Sequence, residues 1–112
     1  MIRHIVLYQF DNIPQSAIAS FMEKYRECEE LANLKIEAGE NISSKLELSG
    51  GFNFGLLMTF GNVEDIKKYN ELKQHLDAKE IIQPYLKDTL VFDIDSAGES
   101  HIFGCSSDVA PL

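Results

Sequence analysis

Gly50-Gly51-Phe52-Asn53-Phe54-Gly55-Leu56-Leu57-Met58-Thr59-Phe60 is the stretch on which the reading of the fold depends. Two glycines open it, as a turn entering a strand requires. Side chains alternate along a strand, so Phe52, Phe54, Leu56, Met58 and Phe60 share one face. Asn53, Gly55, Leu57 and Thr59 share the other, which is smaller but not strongly polar. A strand with apolar residues on both faces needs cover on both. The chain's own helices can cover one face, and a second copy of the chain is expected on the other.

Working back from this central strand, Ser49-Gly50-Gly51 reads as the turn of a hairpin. Its partner is expected over Ile42 to Leu48, with Ile42, Leu46 and Leu48 marking one face. Asn33 to Asn41 reads as an irregular connection ending near Gly39. Before it, Pro14 to about Leu34 has helical periodicity. Ile18, Phe21, Met22, Tyr25, Cys28 and Ala32 form one stripe, while Glu23, Lys24, Glu27, Glu29 and Glu30 lie mostly on the wet side. Ile2 to Phe10 is the first strand: His4, Val6, Tyr8 and Phe10 share a face with Ile2, and Arg3, Ile5, Leu7 and Gln9 share the opposite one.

Working forward, Gly61-Asn62 ends the central strand, and Asn62 suits the N-cap of a helix whose first turn holds Glu64 and Asp65. A further helical piece is expected from about His75 to Leu86, with Leu76, Ile81, Ile82 and Tyr85 as its apolar members and Pro84 near its end. Asp88 to Asp95 is the last strand. From residue 96 the composition shifts to Ser, Gly, Asp and Pro, so the domain is placed at 1–95 and a C-terminal tail at 96–112. Only Ile102, Phe103 and Val109 could anchor that tail.

The element order matches the split βαβ, or ferredoxin-like, α+β plan: a four-stranded antiparallel sheet with helices on one face. The other face would expose Ile5, Leu7 and Leu57, which is unusual for a soluble monomer. Two such sheets packed about a two-fold axis would bury it, so a homodimeric α/β barrel is expected.

Composition narrows the function classes. The 112 residues suffice for one domain, with 45% hydrophobic and 25% charged residues. A net charge of -8 argues against nucleic acid and against anionic membranes as partners. No apolar run approaches the roughly 20 residues of a membrane span. The apolar segment after Arg3 and His4 is too short and too alternating for a signal peptide. Cys28 and Cys105 have no CxxC spacing and read as free thiols, placing the chain in a reducing cytoplasm. His4, His75 and His101 show no metal-ligand spacing, and neither a metal nor a cofactor is expected. His101, in the tail, is assigned no role.

His4-Ile5-Val6-Leu7-Tyr8-Gln9-Phe10, residues 51–60, Tyr69 with His75, and Leu90-Val91-Phe92-Asp93, in that order and spacing, resemble the stress-responsive dimeric α/β-barrel (Dabb) family. The resemblance covers residues 2 to 95 and extends to olivetolic acid cyclase-like members, which are cofactor-independent aldol-type polyketide cyclases. It implies a dimeric barrel, a cavity between helices and sheet, and a Tyr-His acid–base pair. The family's catalytic tyrosine matches Tyr69, its catalytic histidine His75 and its strand-one histidine His4, while a pocket histidine of the cyclase falls on Phe54.

One departure bears on geometry. The family's usual His-Pro-x-His break is missing from Tyr69-Asn70-Glu71-Leu72-Lys73-Gln74-His75. Six residues of unbroken helix rotate by about 600°, leaving the two side chains about 120° apart. They can converge only if the helix bends or restarts between them, and the clearest cause of a break, the proline, is absent.

Two functions follow as expectations. The first is a dimeric protein binding a small apolar or aromatic ligand among Val6, Tyr8, Phe21, Tyr25, Phe54, Leu56 and Met58. The second is a cyclase, lyase or isomerase in which His75 is the base, Tyr69 steadies an enolate oxygen and His4 orients one of these groups or the ligand. The plain alternative for the same residues is packing: His4 as a hydrogen-bonded core side chain, His75 at a helix start in solvent, Tyr69 as a packed ring with a wet hydroxyl. A haem-handling or monooxygenase role, known on other barrels of this kind, lacks any motif here. An open cavity receiving both His75 and Tyr69 would favour the enzyme.

Overall fold

The computed structural model describes residues 1–44 and 46–95. The expected tail, with His101, Ile102, Phe103, Cys105 and Val109, lies outside them. Four strands, β1 (Ile2–Phe10), β2 (Leu34–Glu40), β3 (Phe54–Phe60) and β4 (Leu86–Asp95), form one sheet in the order β2-β3-β1-β4. Every neighbouring pair is antiparallel. Three helices, α1 (Gln15–Ala32), α2 (Val63–Glu71) and α3 (Lys73–Ile82), accompany it, with short 3-10 turns at Leu46–Leu48 and Gln83–Tyr85. This is the ferredoxin-like α+β fold.

The alternation in β3 sets the core. Phe54, Leu56, Met58 and Phe60 are buried and meet Val6, Tyr8 and Phe10 of β1 and Phe21, Tyr25, Cys28 and Ala32 of α1. The helix stripe expected from periodicity is therefore the stripe that packs. Pro14 precedes α1, and its carbonyl accepts from the amides of Ala17 and Ile18. Asn62 caps α2 by accepting the Asp65 amide at 3.0 Å.

The second strand lies elsewhere than expected. It is Leu34–Glu40, not Ile42 to Leu48, and it pairs with β3 from Leu34↔Phe60 to Glu40↔Phe54. Helix α1 stops at Asn33, whose φ of 51° is the left-handed conformation that ends helices. The strand starts on the next residue, and Leu34, Ile36 and Ala38 face the helices while Lys35 and Glu37 face away. Ile42 is 96% exposed and Leu48 75% exposed, so these apolar residues sit in a loop and bury little. Glu29, placed on the wet side by sequence, accepts the Ile36 amide at 2.7 Å and ties β2 to α1.

The expected hairpin turn is likewise replaced by a longer connection. Gly50 and Gly51 have φ of 63° and 86°, so they do form a tight turn. Phe52 lies in this connection, ahead of the strand proper. Asn53 then extends the sheet with its side chain: its Oδ1 accepts from the Phe10 amide and its Nδ2 donates to the Phe10 carbonyl, both at 2.9 Å. Asn53→Ala leaves both Phe10 groups without these partners in a half-buried setting. The expected cost is about 1–3 kcal/mol in urea denaturation with an unchanged m-value.

The final helical piece is shorter than expected. Helix α3 ends at Ile82, Pro84 occupies the 3-10 turn, and Leu86 already belongs to β4. Leu76, read as an apolar member of this helix, is mostly outside the core, whereas Ala78 and Ile82 are buried.

On the face away from the helices, the register brings Ile5 beside Phe92 and Leu57, and Leu7 beside Leu90. Phe92 is 59%, Leu90 47% and Ile94 39% exposed, although alternation places all three on a continuous apolar face.

Candidate functional site

Tyr69 and His75 meet because the helix breaks between them. Leu72 has φ −68° and ψ 135°, an extended conformation that ends α2 and precedes α3. Its carbonyl accepts from the amides of His75 (3.2 Å) and Leu76 (3.3 Å), which starts the new helix without a side-chain cap. The Leu72 side chain is partly buried against the core. The Tyr69 and His75 rings then stack, with centroids 4.1 Å apart and planes at 30°.

Both residues line a cavity of about 230 Å³ between α1, α3 and the sheet. Val6, Ile82, Leu86 and Val91 supply its apolar wall, and Tyr8, Tyr25, Asn70, Gln83 and Thr89 its uncharged polar groups. An apolar cavity of about 150 Å³ takes up benzene, so the volume suits one substituted ring or a short acyl chain.

Of the residues singled out from sequence, His4, Val6, Tyr8, Tyr25, Tyr69 and His75 line this cavity. Phe21, Phe54, Leu56 and Met58 do not line it; they fill the neighbouring core. Phe54, standing where the cyclase has a histidine, packs against Tyr8, Phe10 and Phe21.

The tyrosines act as a group. Tyr69 Oη donates to Tyr25 Oη at 3.4 Å, and a further hydroxyl contact links Tyr25 to Tyr8. Burial, more than any neighbour, pushes all three phenols well above their ordinary range. They therefore stay protonated and serve as hydrogen-bond donors, not bases.

The His75 imidazole moves the other way, from 6.5 down to about 4. Burial is the main cause, followed by the Lys79 ammonium; His4 adds to the shift and a backbone hydrogen bond to Asn70 opposes it. The helix break accounts for that bond, since Asn70 is in the last turn of α2, where carbonyls lack helical partners. Among the described residues His75 Nδ1 is buried and has no hydrogen-bond partner.

His4 stands on the opposite wall, where register pairs it with Asp93. The Asp93 carboxylate bonds His4 Nδ1 and leaves Nε2 as the second nitrogen of this ring. Sequence reading missed Asp93. The available signal was an acid on the strand face that also carries Thr89 and Val91. The Tyr8–Tyr25–Tyr69 cluster was also missed as a cluster, because three separate elements contribute its members.

His75 also ties stability to pH. Its folded value lies below its ordinary one, so between pH 6.5 and about 4 the unfolded chain binds a proton that the folded ring refuses. Stability from this group is complete above that window and falls as pH drops through it. The His75→Gln variant should show a flatter loss of urea midpoint across the same window than the parent; identical slopes would contradict the assignment.

Among the described residues no group of three His, Cys, Asp or Glu side chains could hold a metal ion, and no helix is long and apolar enough to cross a membrane.

The fold and its helix-side cavity define a ferredoxin-like α+β domain with a partly open, tyrosine- and histidine-lined cavity. The chain belongs to the Dabb family: the stress responsive A/B barrel domain model matches residues 2–96. No curated protein sequence matches it. Among solved structures, a crystal structure of an Arabidopsis thaliana protein is similar at 22% identity and a TM-score of 0.73, covering 88% of this chain and 97% of that one. A hydroxynitrile lyase from Passiflora edulis is 19% identical with a TM-score of 0.70, covering 87% and 95%. A dimeric ferredoxin-like protein of unknown function from Thermobifida fusca is 19% identical with a TM-score of 0.68, covering 83% and 88%. These likenesses establish the shared fold.

Proposed function

We propose that this chain acts as a homodimer and carries out acid–base chemistry beside a carbonyl group, of the cyclase, lyase or isomerase kind, in the helix-side cavity. One observation carries this reading: the His75 imidazole and a cluster of protonated phenols line the same cavity. The neutral His75 imidazole takes a proton from carbon next to the carbonyl. The electron pair of the broken C–H bond moves to the carbonyl oxygen, which accepts a hydrogen bond from Tyr69 or its partner Tyr25. The enolate carbon then attacks a second carbonyl, whose oxygen takes the proton from the imidazolium, or is itself reprotonated by the imidazolium; either way His75 returns to its neutral form. His4, held by Asp93, orients the bound molecule. The lyase activity of the Passiflora edulis protein supports placing such chemistry on this fold.

The homodimer rests on the exposed apolar sheet face and on the dimeric relatives. The buried free thiol of Cys28 is in keeping with a reducing, cytoplasmic setting.

A second reading, ligand binding without turnover, is favoured by the lowered proton affinity of His75, which weakens it as a base. A probe of proton abstraction separates the two without knowledge of the natural substrate. Acetophenone in D₂O exchanges its methyl protons through the enolate, and the exchange is followed by proton NMR. The enzyme reading expects the protein to accelerate exchange in a His75-dependent way. Binding of acetophenone with no acceleration leaves the binding reading.

A further inference from the structure

Among the described residues Lys79 is the single Lys or Arg on the cavity wall. It follows His75 by four residues on α3, so the two side chains share a helix face. Among the described residues no carboxylate residue lines the cavity and no ion pair holds Lys79. This is unexpected in a chain with 18 acidic against 10 basic residues. Asp77, two residues earlier, points to Lys24 of α1 instead. The ammonium is felt inside the cavity, since it is the second cause of the lowered proton affinity of His75.

The wall thus combines three buried phenols, an apolar surface from Val6, Ile82, Leu86 and Val91, and the exposed, positively charged Lys79. We propose that the cavity selects small monoanionic carbonyl compounds, a single ring or short chain bearing a carboxylate, with the carboxylate at Lys79 and the apolar body inside. This inference rests on the cavity being the ligand site, as in the proposed function, and adds the charge of the ligand. A cation at the rim of a low-dielectric cleft raises the local concentration of anions and orients them as they enter. It also holds the carboxylate away from the phenols, leaving these for the carbonyl oxygen.

The test compares phenylacetate with phenylacetamide, which has nearly the same shape and no charge. Binding is read by calorimetry and by the His75 ring proton shift, in the parent and in Lys79→Gln. At low salt phenylacetate should bind on the order of tenfold more tightly than the amide, as a charge-assisted contact implies, and added salt should narrow the gap. In Lys79→Gln the two should bind alike. Equal binding in the parent, or a preference that survives in Lys79→Gln, overturns this inference and leaves the cavity reading intact. Failure of both compounds to perturb His75 overturns the cavity reading together with it.

Discussion

His75→Ala is expected to lower the rate of α-proton exchange at neutral pH by about 10²- to 10⁴-fold, the range that a positioned general base contributes. The geometry explains why no other group takes over. The phenols are held protonated by burial and cannot accept the proton. His4 is on the far wall and already bonded to Asp93. Tyr69→Phe should cost less, because Tyr25 Oη lies within 3.4 Å of Tyr69 Oη and can donate in its place. The pH dependence gives an independent check. The base is active when neutral, so the rate should hold as pH falls below 6.5 and decline only near 4. A fall centred on the ordinary imidazole value, or full exchange activity in His75→Ala, would remove His75 from the mechanism. His75→Gln, which keeps more of the side-chain volume, guards against a rate loss caused by collapse of the cavity.

Charging the outer face of the sheet should dissociate the protein. In the double variant Leu57→Glu, Phe92→Glu, a dimer would have to bury four carboxylates where it had apolar side chains. Isolated ions are costly to remove from water, so association should weaken by at least about 10³-fold, roughly 4 kcal/mol. Both side chains point away from the helices, and the core of Phe54, Leu56, Met58 and Phe60 is untouched. The circular dichroism spectrum should therefore stay that of the folded chain while sedimentation equilibrium changes from dimer to monomer. A parent protein that sediments as a stable single chain at micromolar concentration would refute the dimer. So would a double variant that still dimerises.

How far the sequence carried these conclusions differs by element. The alternation of 54–60 and the helical stripe of α1 were legible because each buries one face against the other, and burial imposes a period on sequence. The Asn62 cap was legible because it is local. The second strand was misplaced because two segments competed, and the more apolar one lost. Leu34–Glu40 contains three charges, an alanine and a glycine, yet its register on β3 is continuous over seven pairs. Pairing with a neighbour already in place outweighs composition for so short a segment.

The site divides in the same way. Sequence by itself marked His4, Tyr69 and His75, the two-faced central strand and the acidic surface charge. Only the tertiary structure decided that the tyrosine and histidine face one cavity, because the break between α2 and α3 falls at Leu72. The same holds for Asp93 beside His4, the three phenols drawn together from β1, α1 and α2, and Lys79, which no ion pair holds among the described residues. Local periodicity records which face a residue occupies. Which residues from distant segments meet on that face depends on sheet register and helix breaks, and these are set by packing across the whole domain.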